Sequence, residues 1–210
     1  VAPGANAALS EAHVAAVAAE TPPAGVVLAQ LEVPADAVAE ALRRGRAAGA
    51  LTVLNPAPAN APTTAELLAL ADVLTPNETE FAGLLGRHGS RSTDPATLHA
   101  CSDEALHALC QALQAGTWVI TLGDQGAFVS HAAGQYRGDD TACYRVPVHP
   151  ARVVDTTGAG DAFNGALCAA LARSPQAPFE AAVAFATRYA ARSTESPGAA
   201  LAMPRLGAGG

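Results

Sequence analysis

The stretch from Val153 to Leu167, which reads VVDTTGAGDAFNGAL, constrains the fold more than any other part of the sequence. The β-branched pair Val153 and Val154 predicts the end of a strand, and the three polar residues after it predict a turn. Residues 158–160 are small and open a run, 161–172, whose small and apolar residues favour a buried helix. Backbone N–H groups can converge at such a helix start, where unpaired N–H groups and the helix dipole stabilise negative charge. The sequence therefore predicts an anion-binding turn between a strand and a helix.

Asp161 falls in the first turn of that predicted helix, so a carboxylate lies beside the anion-binding turn. A carboxylate can accept a proton from a hydroxyl group while the N–H groups stabilise charge on a group in transfer. Phosphoryl transfer to an alcohol needs those two devices. A purely structural interpretation also fits a short GxGD pattern, because glycine allows tight packing and aspartate is common at helix starts. These few residues alone do not decide between the two interpretations.

The composition argues against two classes of partner. The 210 residues include 12 basic residues, all of them arginine, and carry a net charge of −7, which argues against nucleic-acid binding. No apolar run reaches the roughly 18 residues of a membrane span, so we expect no membrane partner. The cysteines show no CxxC spacing and no basic and apolar leader is present, which favours free thiols and a cytoplasmic location. The scattered histidines predict no metal site.

Short apolar runs alternate with helical patterns along most of the chain. This rhythm is typical of right-handed βαβ units, so we predict an α/β fold with a parallel sheet, in a single domain over 1–210. The predicted strands are 26–31, 51–54, 72–74 and 118–122, and the predicted helices are 10–20, 34–48, 64–70, 77–85, 102–115 and 181–192. Ligands of such sheets bind at the carboxyl ends of the strands.

The remaining segments are less regular. Residues 86–101 are polar and contain proline, which predicts an exposed loop. Residues 127–130 and 135–137 predict a small antiparallel hairpin, and 144–148 predict a further strand before the turn at 153–167.

Three polar patterns fall at predicted strand ends. Glu32 follows the first buried strand, where a charged residue usually marks a solvated strand end. Asn77 and Glu80 lie close together at a helix start, where they can either handle hydrated Mg²⁺ and phosphate or form a capping box. The segment Thr121–Gly126 ends another strand, and it is either a plain turn or a loop whose backbone can approach a ligand.

The longer patterns carry more information than their parts. DTTGAGDAFNGAL closely resembles the C-terminal signature of the ribokinase-like (PfkB-type) carbohydrate kinases, TPNETE resembles the NxxE motif of that family, and TLGDQG resembles its TLGxxG loop. The resemblance runs over nearly all of the 210 residues. It implies a Rossmann-like parallel sheet flanked by helices and an ATP-dependent kinase with Mg²⁺ and K⁺ as cofactors.

The resemblance also implies a role for each matching residue. Asp161 would be the general base that acts on the sugar hydroxyl, and the turn formed by Gly158, Ala159 and Gly160 would stabilise the transferred phosphoryl group. The implied nucleotide-binding residues are Asn77, Thr121, Gly123, Gly126 and Thr187. Glu80 would hold Mg²⁺ through water. The implied K⁺ site consists of Asp155, Thr157, Ser193, Ser196 and Gly198.

A second pair of patterns suggests the sugar. The segments 30–32 (QLE) and 55–59 (NPAPA) are similar to those of the family members that phosphorylate ribose, in which the glutamate lies near the sugar hydroxyls. We therefore expect ATP-dependent phosphorylation of the primary hydroxyl of ribose, giving ribose 5-phosphate, with Glu32 and Asp161 as substrate-binding residues. The alternatives are another sugar or nucleoside kinase of the family and a non-catalytic nucleotide-binding remnant.

The first residues suggest part of a longer protein. The chain starts at Val1 without methionine, and 1–4 predict a strand end followed by a turn. Against the family pattern, the N-terminal sugar-contact motif and the lid are missing, so we expect a sheet that is incomplete at its N-terminal side. The 210 residues alone are expected to bind ATP weakly and to phosphorylate little or no sugar. The resemblance further implies that the complete protein can form a homodimer.

Overall fold

The computed structural model describes residues 4–89 and 92–205, and its centre is a six-stranded sheet with the order β1-β2-β3-β4-β5-β6. The strands are β1 (Val26–Ala29), β2 (Leu51–Leu54), β3 (Val73–Leu74), β4 (Thr117–Thr121), β5 (Ala127–Ser130) and β6 (Cys143–Val146). The helices are α1 (Glu11–Glu20), α2 (Ala35–Ala47), α3 (Ala65–Leu68), α4 (Glu78–His88), α5 (Asp103–Leu113), α6 (Ala159–Arg173) and α7 (Phe179–Ser193). The α/β prediction is confirmed. The sheet is mixed, because β1 to β4 are parallel whereas β5 runs antiparallel to β4 and β6.

The sheet is the middle layer between two groups of helices, so successive side chains of a strand enter different cores. On one face, Leu74 and Trp118 pack in a core with α2, α4 and α5, and the ring of Phe81 meets that of Trp118 edge-on at 5.7 Å. On the other face, Val73 and Val119 pack against α6 and α7. This two-sided burial explains why the strand sequences are short apolar runs.

The carboxyl ends of β1 to β4 meet at one edge of the sheet, because these strands are parallel. Backbone hydrogen bonds continue past the strand ends: the Asn55 N–H donates to the Ala29 carbonyl at 2.9 Å, and the Thr121 N–H donates to the Pro76 carbonyl at 3.0 Å. The polar segments that follow these strands are therefore held side by side. We call this side of the sheet the carboxyl edge.

An antiparallel hairpin is present, but the prediction of its second strand is wrong. β5 pairs with β6, with Ser130 opposite Cys143, whereas 135–137 belong to the loop between them. That loop is fixed by tertiary contacts, including a 2.9 Å hydrogen bond from the Glu180 N–H of α7 to Asp139 Oδ1, which no local sequence pattern predicts.

The prediction of one exposed loop over 86–101 is also wrong. Helix α4 continues to His88, and Pro95–Ala100 form a short 3₁₀ helix. Leu98 in that 3₁₀ helix is fully buried against the core beneath α4 and α5. The buried leucine explains why a polar, proline-containing segment packs on the domain.

Val153 and Val154 do not end a strand, contrary to the prediction. Their relative exposures are 63% and 56%, and the Val154 N–H donates to the Thr194 carbonyl at the end of α7 at 2.8 Å. The backbone hydrogen bond to α7 thus takes the place of a sheet ladder.

The strand end predicted at 1–3 lies outside the described residues, and Gly4 begins a short 3₁₀ helix. In the described part of the chain, no helix combines the length and apolar character needed to cross a membrane.

Candidate active site

The start of α6 has the geometry of an anion-binding turn. Gly158 is the N-cap and has φ +77°, a left-handed conformation that favours glycine, and an added Cβ would come within 3.1 Å of the Ala199 side chain. The Ala159 N–H donates to the Thr156 carbonyl at 3.1 Å. The N–H groups of Gly160 and Asp161 donate to no acceptor among the described residues. Two donors at the positive end of a 15-residue helix are therefore open to a ligand.

The Asp161 side chain is exposed in the first turn of α6, as predicted. Its carboxylate makes no hydrogen bond or ion pair with another described residue. Neither folding contacts nor a neighbouring cation therefore occupy it, and it is open to a hydroxyl group near the N–H groups of Gly160 and Asp161.

The turn before α6 is joined to the loop after α7. Asp155 Oδ1 accepts hydrogen bonds from the Thr157 N–H (2.9 Å) and hydroxyl (2.7 Å), and Oδ2 accepts one from the Gly198 N–H (2.9 Å). The Gly198 hydrogen bond, followed by those from Thr157, lowers the pKa of Asp155 to about 2. Asp155 is therefore negatively charged at neutral pH.

Of the predicted K⁺ residues, the structure joins Asp155, Thr157 and Gly198 by these hydrogen bonds. Ser193 is buried at the end of α7, and its hydroxyl donates to the Ala190 carbonyl at 2.8 Å. Ser196 is exposed in the loop between Ser193 and Gly198. A carboxylate and the carbonyls of a tight loop suit a hard monovalent cation, and the full charge on Asp155 fits such an ion.

Asn77 and Glu80 form the capping box that was the structural alternative at this position. The Glu80 N–H donates to Asn77 Oδ1 at 2.9 Å, and the Asn77 N–H donates to Glu80 Oε2 at 2.8 Å. Asn55 Nδ2 adds a longer contact of 3.4 Å to the same carboxylate oxygen, and it also donates to the Thr75 carbonyl at 2.6 Å. Burial raises the pKa of Glu80. The carboxylate is thus built into the carboxyl edge, with Oε2 engaged and Oε1 making no hydrogen bond among the described residues.

Thr121 lies beside Asn77 at the carboxyl edge, since the two residues form an isolated parallel bridge. The loop that follows turns tightly, and the Leu122 N–H donates to the Gly126 carbonyl at 2.8 Å. Gly126 has φ +84°, and a Cβ there would lie 2.1 Å from the Val146 carbonyl oxygen, so this position excludes any other residue. At exposed Gly123 an added Cβ would meet nothing within 4 Å.

A cavity of about 540 Å³ connects this loop to the start of α6. Gly123, Gly126 and Thr187 line it, as do Thr156 from the turn before α6 and Ala159, the first residue of α6. Three predicted nucleotide-binding residues therefore share one cavity with the anion-binding turn. Its volume is that of a pocket for a drug-sized molecule.

Another part of the cavity lining was missed by the sequence analysis. It includes Val148, His149 and Pro150 from the segment after β6, and Ala190 and Ala191 from α7. The signal available was weak: the segment after a strand is rich in valine and proline (VPVHP), and α7 carries small residues near its end. Together they make one side of the cavity apolar.

Glu32 is exposed three residues after the end of β1, which stops at Ala29 and not at the predicted residue 31, and its N–H donates to the Gln30 side-chain oxygen. The Leu31 N–H donates to the Ala57 carbonyl at 2.8 Å, so the two ribose-type segments at 30–32 and 55–59 are neighbours. No hydrogen bond joins Glu32 to Asp161 within the described part of the chain. No group of three or more His, Cys, Asp or Glu side chains in residues 4–89 and 92–205 is arranged to hold a metal ion by itself.

Comparison with known proteins gives one family. The model of the pfkB family carbohydrate kinases matches residues 2–206. The chain is 37% identical over 183 residues to a ribokinase of Staphylococcus aureus, covering 87% of this chain and 54% of the relative. It is 33% identical over 203 residues to a ribokinase of Schizosaccharomyces pombe, covering 97% of this chain and 59% of the relative.

A solved structure agrees with this result. The structure of Arabidopsis thaliana ribokinase complexed with ribose and ATP superposes with a TM-score of 0.72 at 28% identity, covering 93% of this chain and 56% of that one. The chain thus spans little more than half the length of the relatives it matches.

Proposed function

The chain belongs to the pfkB family of carbohydrate kinases, and we propose that its protein transfers a phosphoryl group from ATP to the primary hydroxyl of ribose, giving ribose 5-phosphate. One observation carries the proposal: the cavity of about 540 Å³ between the Gly123–Gly126 loop and α7 ends at the turn that begins α6. A nucleotide in this cavity would direct its phosphates at the N–H groups of that turn. Asp161 follows in the same helical turn.

Each residue at the start of α6 has a separate role in the proposed phosphoryl transfer. The sugar hydroxyl oxygen forms a bond to the terminal phosphorus as the bond from that phosphorus to the oxygen of ADP breaks. Asp161 takes the hydroxyl proton, which makes it a general base. The N–H groups of Gly160 and Asp161 stabilise the charge on the oxygens of the transferred group. Gly158 shapes the turn from its N-cap position, while Ala159 contributes to the cavity wall.

The nucleotide contacts follow from the cavity lining. Gly123 has no side chain that would obstruct the ribose or phosphate of the nucleotide. Gly126 is required for the turn itself. The Thr187 hydroxyl donates to the Val183 carbonyl at 2.9 Å, so its methyl group and remaining lone pairs are available to the ligand. Asn77 and Thr121 stand together at the carboxyl edge, and we assign them to the phosphate side of the nucleotide.

Two cations complete the proposal. Mg²⁺, held through water near Glu80, would neutralise charge on the nucleotide phosphates, a role that suits a single carboxylate with one oxygen free of hydrogen bonds. K⁺ would be held by Asp155 with the loop of Thr157, Ser193, Ser196 and Gly198. Asp155 keeps its charge at neutral pH because its pKa is about 2, and that charge supports the assignment.

Ribose is the proposed acceptor because of Glu32 and its surroundings. The segments at 30–32 and 55–59 are in contact, and the Arabidopsis thaliana relative was solved with ribose and ATP. Nucleotide binding without sugar transfer is the second candidate function. It is favoured by the lining of the cavity, which includes Gly123, Gly126 and Thr187 but not Glu32.

We also propose a cytoplasmic location and a homodimer. The four cysteines are free thiols in this structure, which suits a reducing compartment, and ATP is supplied there. The homodimer rests on the resemblance alone, and light scattering on the purified protein tests it.

The decisive experiment follows ADP release by the full product of the gene that encodes this chain, with ribose, Mg²⁺ and K⁺ present. We expect ADP to form only when ribose is added, and ³¹P NMR to find the new ester on the primary oxygen. Adenosine and fructose serve as competing acceptors. Faster turnover with either one assigns the protein to another branch of the family, and nucleotide binding without turnover on any acceptor supports the second candidate.

A further inference from the structure

A second cavity lies at the opposite end of the sheet, away from the carboxyl edge. Its volume is about 470 Å³, and it is bounded by the segments that enter the parallel strands, with Gly25 and Val26 at β1 and Leu51 at β2. Leu171 of α6 and Phe179 of α7 complete an apolar wall. The proposed reaction uses none of these residues.

The one cationic residue in this lining is Arg137, and no acidic residue lines the cavity. Its Nε donates to the Thr117 hydroxyl at 2.9 Å and its Nη2 to the Asp72 carbonyl at 3.4 Å, so both acceptors are uncharged. Nη1 has no acceptor among the described residues. Burial lowers the pKa of Arg137, which reflects a poorly solvated cation.

The Asp72 carboxylate is already engaged. It forms an ion pair with Arg46 at 2.9 Å. Its presence favours the charged form of Arg137, but no direct ion pair joins the two in the described residues. Partly buried charges in proteins are usually paired, and a bound anion would supply the missing partner.

The guanidinium is held in place by its surroundings. The Thr117 hydroxyl that accepts from Arg137 also contacts His131 Nδ1 at 3.1 Å, and the Arg137 carbonyl accepts from the Phe179 N–H at 3.2 Å. Arg137 has φ +52°, the one positive value at a non-glycine residue in the described chain. The side-chain and backbone hydrogen bonds together fix this uncommon conformation and the direction of the guanidinium.

We propose that this cavity binds a small organic carboxylate with an apolar body. The free edge of the Arg137 guanidinium is a planar pair of donors, which matches the two oxygens of a carboxylate. Val26, Leu51, Leu171 and Phe179 would contact the apolar body. A single guanidinium in an otherwise apolar wall suits a monoanion better than a phosphate dianion.

The test is calorimetric titration of the protein with benzoate and with its neutral isostere benzamide, without ATP or sugar. Failure of this proposal is therefore independent of the proposed kinase activity. We expect saturable benzoate binding and at least roughly tenfold weaker benzamide binding, as for loss of a charged hydrogen bond. R137Q should weaken benzoate binding to the same degree. R205Q, which removes an exposed arginine elsewhere, should leave benzoate binding unchanged.

A second variant tests the cavity without changing Arg137. At Gly25 an added Cβ meets no atom within 4 Å and the backbone needs no positive φ, so Gly25→Leu fills the cavity without strain. Gly86→Leu, at an exposed glycine with the same free space on α4, is the matched control. We expect Gly25→Leu to abolish benzoate binding and Gly86→Leu to preserve it. Equal binding of benzoate and benzamide, or unchanged binding in folded R137Q or Gly25→Leu, would overturn the proposal.

Discussion

Asp155 and Gly198 are 43 residues apart in the sequence, yet the Gly198 N–H donates a 2.9 Å hydrogen bond to Oδ2 of Asp155. This bond joins the turn that precedes α6 to the loop that follows α7. The Asp155 N–H also donates to the Thr194 carbonyl, at 3.1 Å, so each segment donates a hydrogen bond to the other. The position of the proposed catalytic turn therefore depends on the loop after the last long helix.

We expect this junction to weaken in acid. The pKa of folded Asp155 is about 2, below its ordinary value of 3.8, so its contribution to stability is present above the ordinary value and is lost as the pH falls through about 2. NMR titration should give one midpoint near 2 for the Asp155 carboxyl carbon and for the Gly198 amide proton. T157V removes one donor and should move that midpoint upward. A midpoint at the ordinary value in the unmodified protein would contradict the hydrogen bonds described here.

Gly160→Ala separates folding from catalysis. A Cβ at this position meets no atom of the chain within 4 Å, and the backbone needs no positive φ, so the variant should fold without loss of stability. In the proposed reaction, the added methyl group would crowd the approach of the transferred phosphoryl group to the N–H donors. We expect roughly 10²-fold slower ribose-dependent turnover, the typical effect of a small misplacement.

The control for this prediction is Gly165→Ala. Gly165 is on the same helix and has the same free space, but it lies beyond the first turn. It should keep full turnover. Equal activity of the two variants would mean that the start of α6 does not contact the transferred group.

Asp161→Asn should remove turnover while ATP binding remains. The carboxylate makes no hydrogen bond in the described residues, so its loss costs the fold only the helix-dipole term of about 0.3–1 kcal/mol. Loss of a general base should slow the reaction roughly 10²- to 10⁴-fold. Single-turnover rates and calorimetric ATP affinity measure the two effects separately. Near-normal turnover in this variant would refute the assignment of the base.

The elements that could be predicted from the sequence are those specified by neighbours along the chain. The apolar runs of β1 to β4 needed no tertiary information, and the capping box of Asn77 and Glu80 is contained in four residues. The same is true of the glycine turn that starts α6. These patterns fix local backbone geometry, which is why the glycine turn and the start of α6 were predicted in their correct place.

The features that were missed depend on contacts between distant segments. The partner of β5 is decided by a loop held against α7, where the Glu180 N–H donates to Asp139 Oδ1 at 2.9 Å, and not by the propensities of 135–137. Val153 and Val154 have strong strand propensity, but the Thr194 carbonyl takes the Val154 N–H. The apolar lining of the proposed nucleotide cavity combines the segment after β6 with α7, and neither segment is recognisable alone.

Glu32→Ala should affect the sugar and not the nucleotide. The Glu32 side chain is exposed and has no hydrogen-bond partner in the described chain, so its removal should leave stability unchanged. A charged hydrogen bond to a sugar hydroxyl is worth roughly 1.5–3 kcal/mol, which corresponds to a rise of roughly 10- to 150-fold in the ribose KM. The ATP KM should stay within about twofold. E20A, at an exposed glutamate on α1, is the control, and equal changes in both KM values would indicate a general effect on the fold.

Glu80→Gln tests whether the buried carboxylate has a function beyond its cap. Burial raises the pKa of Glu80, so the folded state binds its proton more tightly than the unfolded state does. The charged carboxylate therefore reduces stability as the pH rises from the ordinary value of 4.5 through the folded pKa. Glutamine keeps an oxygen for the Asn77 N–H without the charge, so the variant should be more stable than the unmodified protein at pH 7. The difference should disappear below about pH 4.

Activity should change in the opposite direction to stability if Glu80 holds Mg²⁺ through water. We expect E80Q to unfold at a higher urea concentration at pH 7 but to need more Mg²⁺ for half-maximal ADP release. E78Q removes a neighbouring charge from the same helix turn without touching the capping box, and it should keep the Mg²⁺ dependence of the unmodified protein. E80A leaves the Asn77 N–H without its acceptor and should cost about 1 kcal/mol, which confirms the cap. Unchanged Mg²⁺ dependence in the more stable E80Q would restrict Glu80 to its structural role, because the carboxylate would then serve the helix start alone.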